Sequence, residues 1–441
     1  MSGSSHAQRI LHPVLSTVGW ALLNSLPAYD PDAVDALNQE LRAAGHPPEL
    51  VAAALTQQQL RAQAHTKFGD FADRMLFTRQ GLEQATRLPV AAHHAQRFAH
   101  AGITTVFDLG CGIGGDAMAI AAVGVDVVGV EADEAVAAAA TVNLMPFPNA
   151  TVKHARAEHF LADKSTEELS QTGLWFDPAR RTVHEGGGAS KIFKPEDYTP
   201  SLDLIGELVD AGYPVGVKLA PGMPHDSLPA SVHERGEVQY ISHNGDLVEV
   251  VLWFNALTRP GIRRSALLLS DRTSTCEFTS SSPLPEAAVA EVRGMDGLLE
   301  LLGTGYLYEP DPALIRSRLL DVGLEQLQGY LFDEHIAYAG SARRTDLCGF
   351  TGYRLDEIMP YNVKKLRGWI KERCIGQLTI KKRGLDVSPE ELRHLLLGKL
   401  SKSEKKKGSH QVLILTRIGD DRLTLAVTSL STVTDDAAEQ A

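Results

Sequence analysis

Residues 106–115 read VFDLGCGIGG, and this stretch decides the fold of the 441-residue chain. An apolar run ends at Asp108, glycines follow at positions 110, 112, 114 and 115, and residues 116–124 (DAMAIAAVG) have the composition of a helix. Glycine allows a tight turn and the close approach of a ligand that a Cβ atom would block. The stretch therefore predicts a strand, a ligand-binding turn and a helix at the start of an α/β sheet.

The acids beside this turn distinguish two cofactor classes. The glycines fit both GxGxxG, which binds nicotinamide dinucleotides, and DxGxGxG, which methyltransferases use for S-adenosylmethionine. Glu131 ends the next apolar run, 21 residues past Gly110, where it can bind two ribose hydroxyls. Because S-adenosylmethionine has no pyrophosphate, Asp108 and Glu131 would select it, and we favour it over a dinucleotide or a turn without a ligand. The cofactor contacts predicted in this region are Asp108, Gly110, Gly112, Gly114, Glu131 and Ala132.

Short apolar segments alternate with helical segments between about residues 104 and 270. This alternation is typical of a parallel sheet covered by helices, so the predicted fold class is α/β with a Rossmann-like sheet. Residues before the sheet have helical spacing, with a break at Pro47 and Pro48. The predicted parts are a helical extension (1–100), the sheet domain (101–272), a linker with a connecting helix (273–302) and an α+β domain (303–441).

A second functional signal is LWFDPARR at residues 174–181, where Asp177 and Pro178 follow an apolar strand. Ligands of open α/β sheets bind at the carboxyl ends of the strands. Methyltransferases that modify exocyclic amines often carry an acid or amide, two prolines and an aromatic residue here. This chain has Ala179 and Arg180 in the last two places, so Arg180 or Arg181 would stack on a base or hold a phosphate. Asp177 as a simple turn cap is the alternative.

Composition excludes several classes of protein. No stretch reaches the roughly 18 apolar residues of a membrane span, and no secretory signal begins the chain. The four cysteines are scattered without a CxxC pair, which predicts neither a zinc knuckle nor a disulfide framework and favours a reducing cytoplasm. The sixteen histidines show no metal-ligand spacing, so no metal is predicted.

The C-terminal part carries a local excess of positive charge. Residues 361–407 contain fourteen Lys or Arg against five Asp or Glu, although the whole chain has a net charge of −12. Lys381, Lys382 and Arg383 end a predicted strand and could bind an RNA backbone. The alternative is a charged edge that prevents pairing with other chains. Residues 311–329 are predicted as one helix, and SKSEKKKGS (401–409) as a mobile basic loop.

Several segments together resemble a known family, the bacterial, largely actinobacterial, class I methyltransferases with a C-terminal THUMP-like domain. The resemblance covers nearly the whole chain, and its core is also similar to the trimethylguanosine synthase branch. It implies S-adenosylmethionine as cofactor and an RNA-binding C-terminal module, with no settled substrate. The segments that carry it are residues 67–87, DLGCGIGGDA (108–117), LWFDPARR, FKPEDYTP (193–200), VKLAPG (217–222) and IKKRGLDVSPEELR (380–393).

The resemblance also implies site residues. It assigns Gly110, Gly112, Glu131 and Asp177 to the site, and a segment before the sheet that folds over the cofactor, with Thr78 as a candidate contact. Arg156 occupies the place of the acid that contacts adenine, and Glu158 is the nearest substitute. Apart from the resemblance, Tyr198 is a candidate substrate contact, because it could supply the aromatic ring that position 180 lacks. The leading hypothesis is an RNA base N-methyltransferase acting on structured RNA; a protein or metabolite methyltransferase and a non-catalytic RNA-binding protein stay open.

Overall fold

The structure is a computed structural model that describes residues 6–180, 198–223, 230–271, 274–283, 291–398 and 402–430. The chain divides into two compact units. The first comprises residues 1–239 and 248–263, and the second residues 240–247 and 264–441. The boundaries predicted at residues 100, 272 and 302 remain predictions.

Eighteen helices and eighteen strands occur in the described residues. The helices are His6–Leu11 (α1), Thr17–Ser25 (α2), Val34–Ala43 (α3), Pro48–Phe68 (α4), Arg79–Gln84 (α5), Leu88–His100 (α6), Gly115–Ala122 (α7), Glu134–Leu144 (α8), Ala157–Ala162 (α9), Thr166–Ser170 (α10), Leu202–Asp210 (α11), Ala230–Arg235 (α12), Gly294–Glu300 (α13), Pro312–Arg316 (α14), Leu320–Leu327 (α15), Val363–Glu372 (α16), Pro389–Leu397 (α17) and Lys402–Lys407 (α18). The strands are Thr105–Leu109 (β1), Asp126–Glu131 (β2), Ala150–His154 (β3), Thr172–Phe176 (β4), Ala179–Arg180 (β5), Tyr198–Thr199 (β6), Val215–Leu219 (β7), Glu237–His243 (β8), Asp246–Phe254 (β9), Arg264–Leu269 (β10), Cys276–Ser280 (β11), Tyr306–Pro310 (β12), Tyr330–Asp333 (β13), Ile336–Ser341 (β14), Phe350–Pro360 (β15), Ile375–Lys382 (β16), Ser409–Ile418 (β17) and Asp421–Ser429 (β18).

The first unit contains the predicted Rossmann-like sheet, with strands in the order β9-β7-β4-β1-β2-β3. β1, β2, β3, β4 and β7 run parallel, and the register places Leu109 beside Val130 on β2 and Phe176 on β4. The carboxyl ends of these strands therefore meet at one edge, where ligands of open α/β sheets bind. β9 runs antiparallel to β7, which corrects the expectation of a wholly parallel sheet. An antiparallel edge strand is common on such sheets.

Aromatic side chains pack together on the sheet where β4, β7 and β9 pair. Trp175 and Trp253 are fully buried and stacked, with ring centroids 5.5 Å apart. Phe98 of α6 contacts both rings edge-on. Gly216 of β7 lies between the two tryptophans in the register, because no larger residue leaves room for both indoles. Helix α6 is thereby fixed against the centre of the sheet.

The N-terminal helices pack on the sheet domain through a shared apolar core. The buried residues of this core include Leu11, Leu23, Val51, Leu76 and Ala139, which belong to α1, α2, α4, the segment after α4 and α8. Helix α4 begins at Pro48, so the Pro47–Pro48 pair separates it from α3 as predicted. Proline suits the first turn of a helix because no partner is lost there.

The second unit contains a seven-stranded sheet in the order β13-β14-β12-β15-β18-β17-β16. Its neighbours pair antiparallel, except for the parallel pair β16 and β17. Alternate residues of β17 face two different cores, as a strand with two covered faces requires. Ile414 packs in the core that includes Leu298 of α13, whereas Leu413 packs in the core that includes Trp369 of α16.

Three sequence expectations for the second unit are wrong. The helix expected over 311–329 is broken into α14 and α15, because Arg318 adopts a φ of +56° between them. Residues 402–407, expected as a mobile loop, form α18, a run of Lys, Ser and Glu without a helix breaker. Cys276 and Cys348 form a disulfide across a separation of 72 residues, which no cysteine spacing could indicate.

The described helices include none that is long and apolar enough to cross a bilayer. Within the same residues, no group of three or more His, Cys, Asp or Glu side chains is arranged to hold a metal ion.

We predict that Gly216→Ala destabilises the first unit by about 1–3 kcal/mol, the usual range for overpacking. The added Cβ would lie 2.7 Å from Trp253 Cζ3 and 2.8 Å from Trp175 Cε3, and both rings are fixed by their neighbours. Gly206→Ala on α11 is the matched control, because its Cβ would meet nothing within 4 Å. The control should gain about 0.5–1 kcal/mol from helix propensity. Urea unfolding followed by tryptophan fluorescence measures both, and equal midpoints for the two variants would contradict the prediction.

Candidate active site

The glycine turn after β1 has the backbone conformation that its sequence predicts. Gly110, Gly112 and Gly114 have φ angles of +104°, +54° and +88°. Residues other than glycine rarely adopt such positive φ angles. The Gly110 and Cys111 N–H groups donate to the Val130 carbonyl at 2.9 and 3.1 Å, which ties the turn to β2. Gly114 then caps α7.

The turn lies against the segment that carries Asp177. A Cβ atom on Gly110 would be 3.2 Å from the Asp177 carbonyl oxygen, tighter than ordinary van der Waals contact. This closeness follows from the pairing of β1 with β4, which brings the two segments after the strands together. The two signals that the sequence separates by 67 residues are therefore adjacent in space.

Glu131 at the end of β2 is held by backbone amides. Its carboxylate accepts hydrogen bonds from the Gly112 N–H at 3.0 Å and the Asp133 N–H at 2.9 Å. Asp133 in turn caps α8. Ala132 is exposed beside this carboxylate, and its carbonyl oxygen lies 3.2 Å from His154 Nε2. Glu131 is thus fixed next to the glycine turn, with lone pairs left for further donors.

Asp108 is a buried carboxylic acid beneath the turn. It is 1% exposed, and neither oxygen has a hydrogen-bond partner of good geometry in the described part of the chain. Burial raises the pKa of Asp108 well above its ordinary value, and the charges of Asp116 and Asp177 raise it further. A buried polar group without a partner is costly, and such groups concentrate at functional sites.

Residues 75–77, which we term the strap, approach the turn from the N-terminal helices. Gln57 of α4 both donates to the Phe77 carbonyl (2.7 Å) and accepts from its N–H (2.9 Å). Asn143 of α8 does the same for Leu76 and also donates to the Ile113 carbonyl of the turn at 2.9 Å. Two buried amide side chains therefore replace a neighbouring strand and fix the strap relative to the turn.

Thr78 follows the strap and caps α5. Its hydroxyl accepts from the Gly81 N–H at 2.9 Å, and the residue is 6% exposed. Lys67 closes the other end of this short helix by donating to the Leu82, Glu83 and Ala85 carbonyls. The structure therefore gives Thr78 a capping role, and its predicted contact with the cofactor remains a prediction.

Asp177 forms an ion pair with Lys218 of β7. Lys218 Nζ lies 2.6 Å from Asp177 Oδ2, and the lysine side chain is 10% exposed against 34% for the aspartate. Burial raises the pKa of Asp177 above its ordinary value, although the Lys218 ammonium opposes that rise. Burial alone would lower the pKa of Lys218, but the carboxylates of Asp177, Asp116 and Glu249 raise it above its ordinary value.

Behind this pair, a chain of buried polar side chains extends to α6. Lys218 Nζ donates to Thr86 Oγ1 at 2.9 Å, and Thr86 donates to Asp116 at 2.9 Å. Asp116 lies 2.9 Å from His94 Nδ1, and Glu249 lies 2.5 Å from His94 Nε2. Burial alone would lower the pKa of His94, but Glu249 and Asp116 raise it to about 9. His94 and Lys218 in turn lower the pKa of Asp116 to about 2, against the effect of burial.

Sequence reasoning missed this chain. Lys218, Thr86 and Asp116 lie in segments that carry the family resemblance, but no role is predicted for them, and His94 and Glu249 lie in no predicted motif. Each comes from a different element, so no spacing links them. A lysine within the apolar strand VGVKL was the one available signal, because lysine is rarely buried without a partner.

The remaining predicted site residues include two that lie partly or wholly outside the described residues. Arg181 lies outside the described residues, and so does the side chain of Arg180. Tyr198 on β6 pairs with Arg180 on β5 and is 3% exposed. Glu158 lies in the first turn of α9 and forms an ion pair with Arg156 at 3.6 Å.

The basic triplet of the second unit is only partly free. Lys381 pairs with Glu309, and Arg383 donates to the Ala337 and Pro310 carbonyls at 2.7 and 3.0 Å. Lys382 is exposed. Lys381 and Arg383 therefore have structural partners within the second unit, which favours the structural role for two of the three residues.

The residues around the turn match S-adenosylmethionine in charge. The cofactor carries a sulfonium and an ammonium group against one carboxylate, so acids beside its site stabilise it. Asp108 supplies a buried acid without a partner, and Glu131 supplies a fixed carboxylate. A Cβ on Gly112 would meet nothing within 4 Å, which leaves open space beside the turn.

Known proteins share this architecture. The chain is similar to two uncharacterized S-adenosylmethionine-dependent methyltransferases of Mycobacterium tuberculosis, strains CDC 1551 / Oshkosh and H37Rv, at 28% identity over 373 residues, covering 82% of this chain and 91% of each relative. The crystal structure of a "putative methyltransferase" from Porphyromonas gingivalis W83 aligns with a TM-score of 0.63 at 20% identity, covering 92% of this chain and all of that one.

Two family descriptions match parts of the chain. Residues 350–429 match the family described as THUMP domain-like, and residues 9–64 match a domain of unknown function (DUF8688). The predicted α/β methyltransferase fold with a C-terminal THUMP-like domain is thereby confirmed. The closer similarity to the trimethylguanosine synthase branch remains a prediction.

We predict that Gly112→Ala lowers the affinity for S-adenosylhomocysteine at least tenfold. The alanine Cβ meets no protein atom, so it would not disturb the packing of the fold. The affinity would fall because the Cβ occupies space that the cofactor needs. Gly102→Ala is the matched control, with a φ of +73° and equally open surroundings before β1. Both variants carry a strain of about 1–2 kcal/mol. Isothermal titration calorimetry measures the affinities, and an equal loss in both variants would refute the assignment of the turn.

We predict that the first unit becomes less stable as the pH rises above 6.5, because the proton on His94 that stabilises the folded state is progressively lost. The pKa of His94 is about 9 in the folded state and ordinarily 6.5, so the folded protein holds an extra proton between these values. The free energy of unfolding therefore falls by up to about 1.4 kcal/mol per pH unit. His94→Gln should be less stable at pH 6.5 but should lack this slope. Urea unfolding between pH 6 and 9 measures the difference, and parallel curves would count against a charged His94.

Proposed function

We propose that this chain methylates a base nitrogen of RNA, with S-adenosylmethionine as the methyl donor. The enzyme class is the better supported part. The chain is an S-adenosylmethionine-dependent methyltransferase, as the fold, the acid-flanked turn and the two mycobacterial relatives together indicate. The RNA acceptor and the methylated nitrogen are the proposal.

The observation that carries the proposal is the contact between the glycine turn and the Asp177 segment. Gly110 approaches the Asp177 carbonyl so closely that a Cβ would lie 3.2 Å from it. A cofactor on the turn and an amine on Asp177 would therefore be neighbours. Methyl transfer depends mainly on holding two reactants in line, so this proximity is what the reaction requires.

The chemistry assigns a role to each residue of the Asp177-Pro178 segment. When bound, S-adenosylmethionine supplies an electrophilic methyl group on a sulfonium centre. The Asp177 carboxylate and a backbone carbonyl beside Pro178 accept hydrogen bonds from the acceptor amine and direct its lone pair to that methyl group. The nitrogen would then gain the methyl group, and the electron pair of the broken sulfur–carbon bond would stay on sulfur. The nitrogen then loses one proton, to Asp177 or to water.

The second unit supports RNA as the acceptor. Its THUMP-like match covers residues 350–429, and residues 361–407 hold nine more positive than negative charges. THUMP domains bind RNA, and clustered lysines and arginines neutralise a phosphate backbone. With Lys381 and Arg383 engaged within the unit, we assign this role to Lys382 and the exposed cations of α16 and α18 rather than to the whole triplet. A cytoplasmic location is part of the same proposal and rests on the RNA acceptor alone, because the Cys276–Cys348 disulfide removes the argument from unpaired cysteines.

The acceptor is tested with tritiated S-adenosylmethionine offered to total RNA, total protein and a small-molecule extract. The proposal expects label in RNA, and digestion to nucleosides then identifies the methylated base. RNA binding should weaken steeply with salt, because it depends on released counterions. Label confined to protein or metabolites would refute the RNA acceptor but leave the enzyme class intact. Binding of RNA with no transfer to any of the three would favour a non-catalytic role.

We predict that Asp177→Asn lowers kcat by at least tenfold and changes the affinity for S-adenosylhomocysteine by less than threefold. The amide keeps one acceptor oxygen but loses the charge that draws the amine hydrogens. Asp126→Asn is the matched control, since Asp126 is exposed at the opposite, amino end of β2. Full activity of Asp177→Asn with normal cofactor binding would remove Asp177 from the catalytic assignment.

A further inference from the structure

Lys218 is the buried cation nearest to the proposed acceptor site. It lies next to the carboxyl end of β7 and contributes three contacts from one ammonium group: 2.6 Å to Asp177 Oδ2, 2.9 Å to Thr86 Oγ1 and 3.9 Å to Asp116 Oδ2. The proposed methyl transfer assigns Lys218 no role, because only Asp177 and a backbone carbonyl beside Pro178 contact the acceptor amine. A lysine that is 9% exposed and surrounded by carboxylates needs a reason to be there, because a buried ion pair is rarely a net gain in stability.

We propose that Lys218 is the positioning residue of the reaction, which fixes Asp177 through Oδ2 and keeps it ionised so that Oδ1 faces the acceptor amine. The inference rests on the proposed function. The exposures of the two side chains support the direction of this arrangement. Lys218 approaches from the interior with 10% of its side chain exposed, whereas Asp177 keeps 34% exposed. The free face of the carboxylate is therefore the one that a ligand can reach.

In the described part of the chain, the charged groups around the pair lie on five further elements. Asp177 follows β4, and the other groups lie on α4, α6, α7, β1 and β9. These groups are Lys67, His94, Asp116, Asp108 and Glu249. The surrounding acids raise the pKa of Lys218, so it holds its proton and cannot accept the one that the amine loses. Lys218 therefore acts on the amine only through Asp177.

Removing the lysine would change the protonation of Asp177. Burial already raises the pKa of Asp177, and Asp116 and Glu249 repel its negative charge. Without the Lys218 ammonium, nothing in this cluster but the more distant His94 and Lys67 would offset these effects. Asp177 would then take a proton from water and lose the acceptor capacity that the amine requires. The residue would remain in place but in the wrong protonation state.

The experiment compares the pH profile of kcat for Lys218→Met, Lys218→Arg, Asp177→Asn and the Lys218→Met/Asp177→Asn double variant. For Lys218→Met, kcat should rise with pH, and the midpoint of this rising limb should lie at least one pH unit above that of the parent enzyme. At pH 6 this should appear as a tenfold or greater loss of kcat with KM for S-adenosylmethionine within threefold. Lys218→Arg should restore the position of the limb, because it keeps the cation.

The double variant tests whether Lys218 works through Asp177. In the Asp177→Asn background, Lys218→Met should change kcat by less than threefold at every pH, since an amide does not titrate. Lys164→Met is the matched control, because it removes an ion pair of 2.7 Å with Glu168 elsewhere in the first unit. An unshifted limb in Lys218→Met, or independent, multiplying losses in the double variant, would overturn the proposal.

A readout without turnover separates this inference from the proposed function. At pH 7, Asp177→Asn should lower Tm in the parent protein, where it breaks the pair, but raise Tm in the Lys218→Met background, where it removes a partly buried carboxyl group that folding forces to take up a proton. The same sign in both backgrounds would overturn the role of Lys218. If the parent enzyme labels no RNA yet Tm changes sign as stated, the proposed acceptor fails and the pairing of Lys218 with Asp177 stands.

Discussion

The buried ionic chain from α6 to the end of β4 is the constraint on which the site depends. An isolated charge inside a protein is costly by several kcal/mol, so each member of the chain is tolerated only because the next one is in place. His94 is fixed by Asp116 and Glu249, and Asp116 connects through Thr86 to Lys218. Asp177 at the end of this chain therefore takes its position from a helix that precedes the sheet. The N-terminal helices are therefore part of the architecture of the candidate site rather than an appendage.

The part of the candidate site that would bind the methyl donor could be predicted from local sequence. Asp108, the glycines and Glu131 lie within 24 residues, and their spacing alone predicts a strand, a turn and a second strand. Backbone geometry decides such a motif, because a positive φ at Gly110 or Gly112 leaves few other residues possible. The direction of β9 was beyond this reasoning. An apolar run has the same composition whether its strand runs parallel or antiparallel to its neighbour.

In the part of the candidate site proposed to bind the methyl acceptor, Asp177 was the one residue of the buried ionic chain that the sequence predicted. The partners that set its charge come from α6, α7, β7 and β9, and contacts between such distant segments leave no period in the sequence. The basic triplet shows the converse error. Lys381 and Arg383 suggested a nucleic-acid surface by composition, but their hydrogen bonds go to Glu309, Ala337 and Pro310. Charge counts identify cations and say nothing of which ones are already satisfied.

The hydrogen bonds of the strap decide how rarely this segment opens. Five buried hydrogen bonds from Gln57, Asn143 and Arg61 hold residues 75–77 in place. At about 1 kcal/mol each, lifting the strap would occur in about one molecule in a few thousand. The strap is therefore a fixed wall and not a lid. A ligand on the glycine turn would therefore lie beside a segment that keeps its position, and not beside one that closes over it.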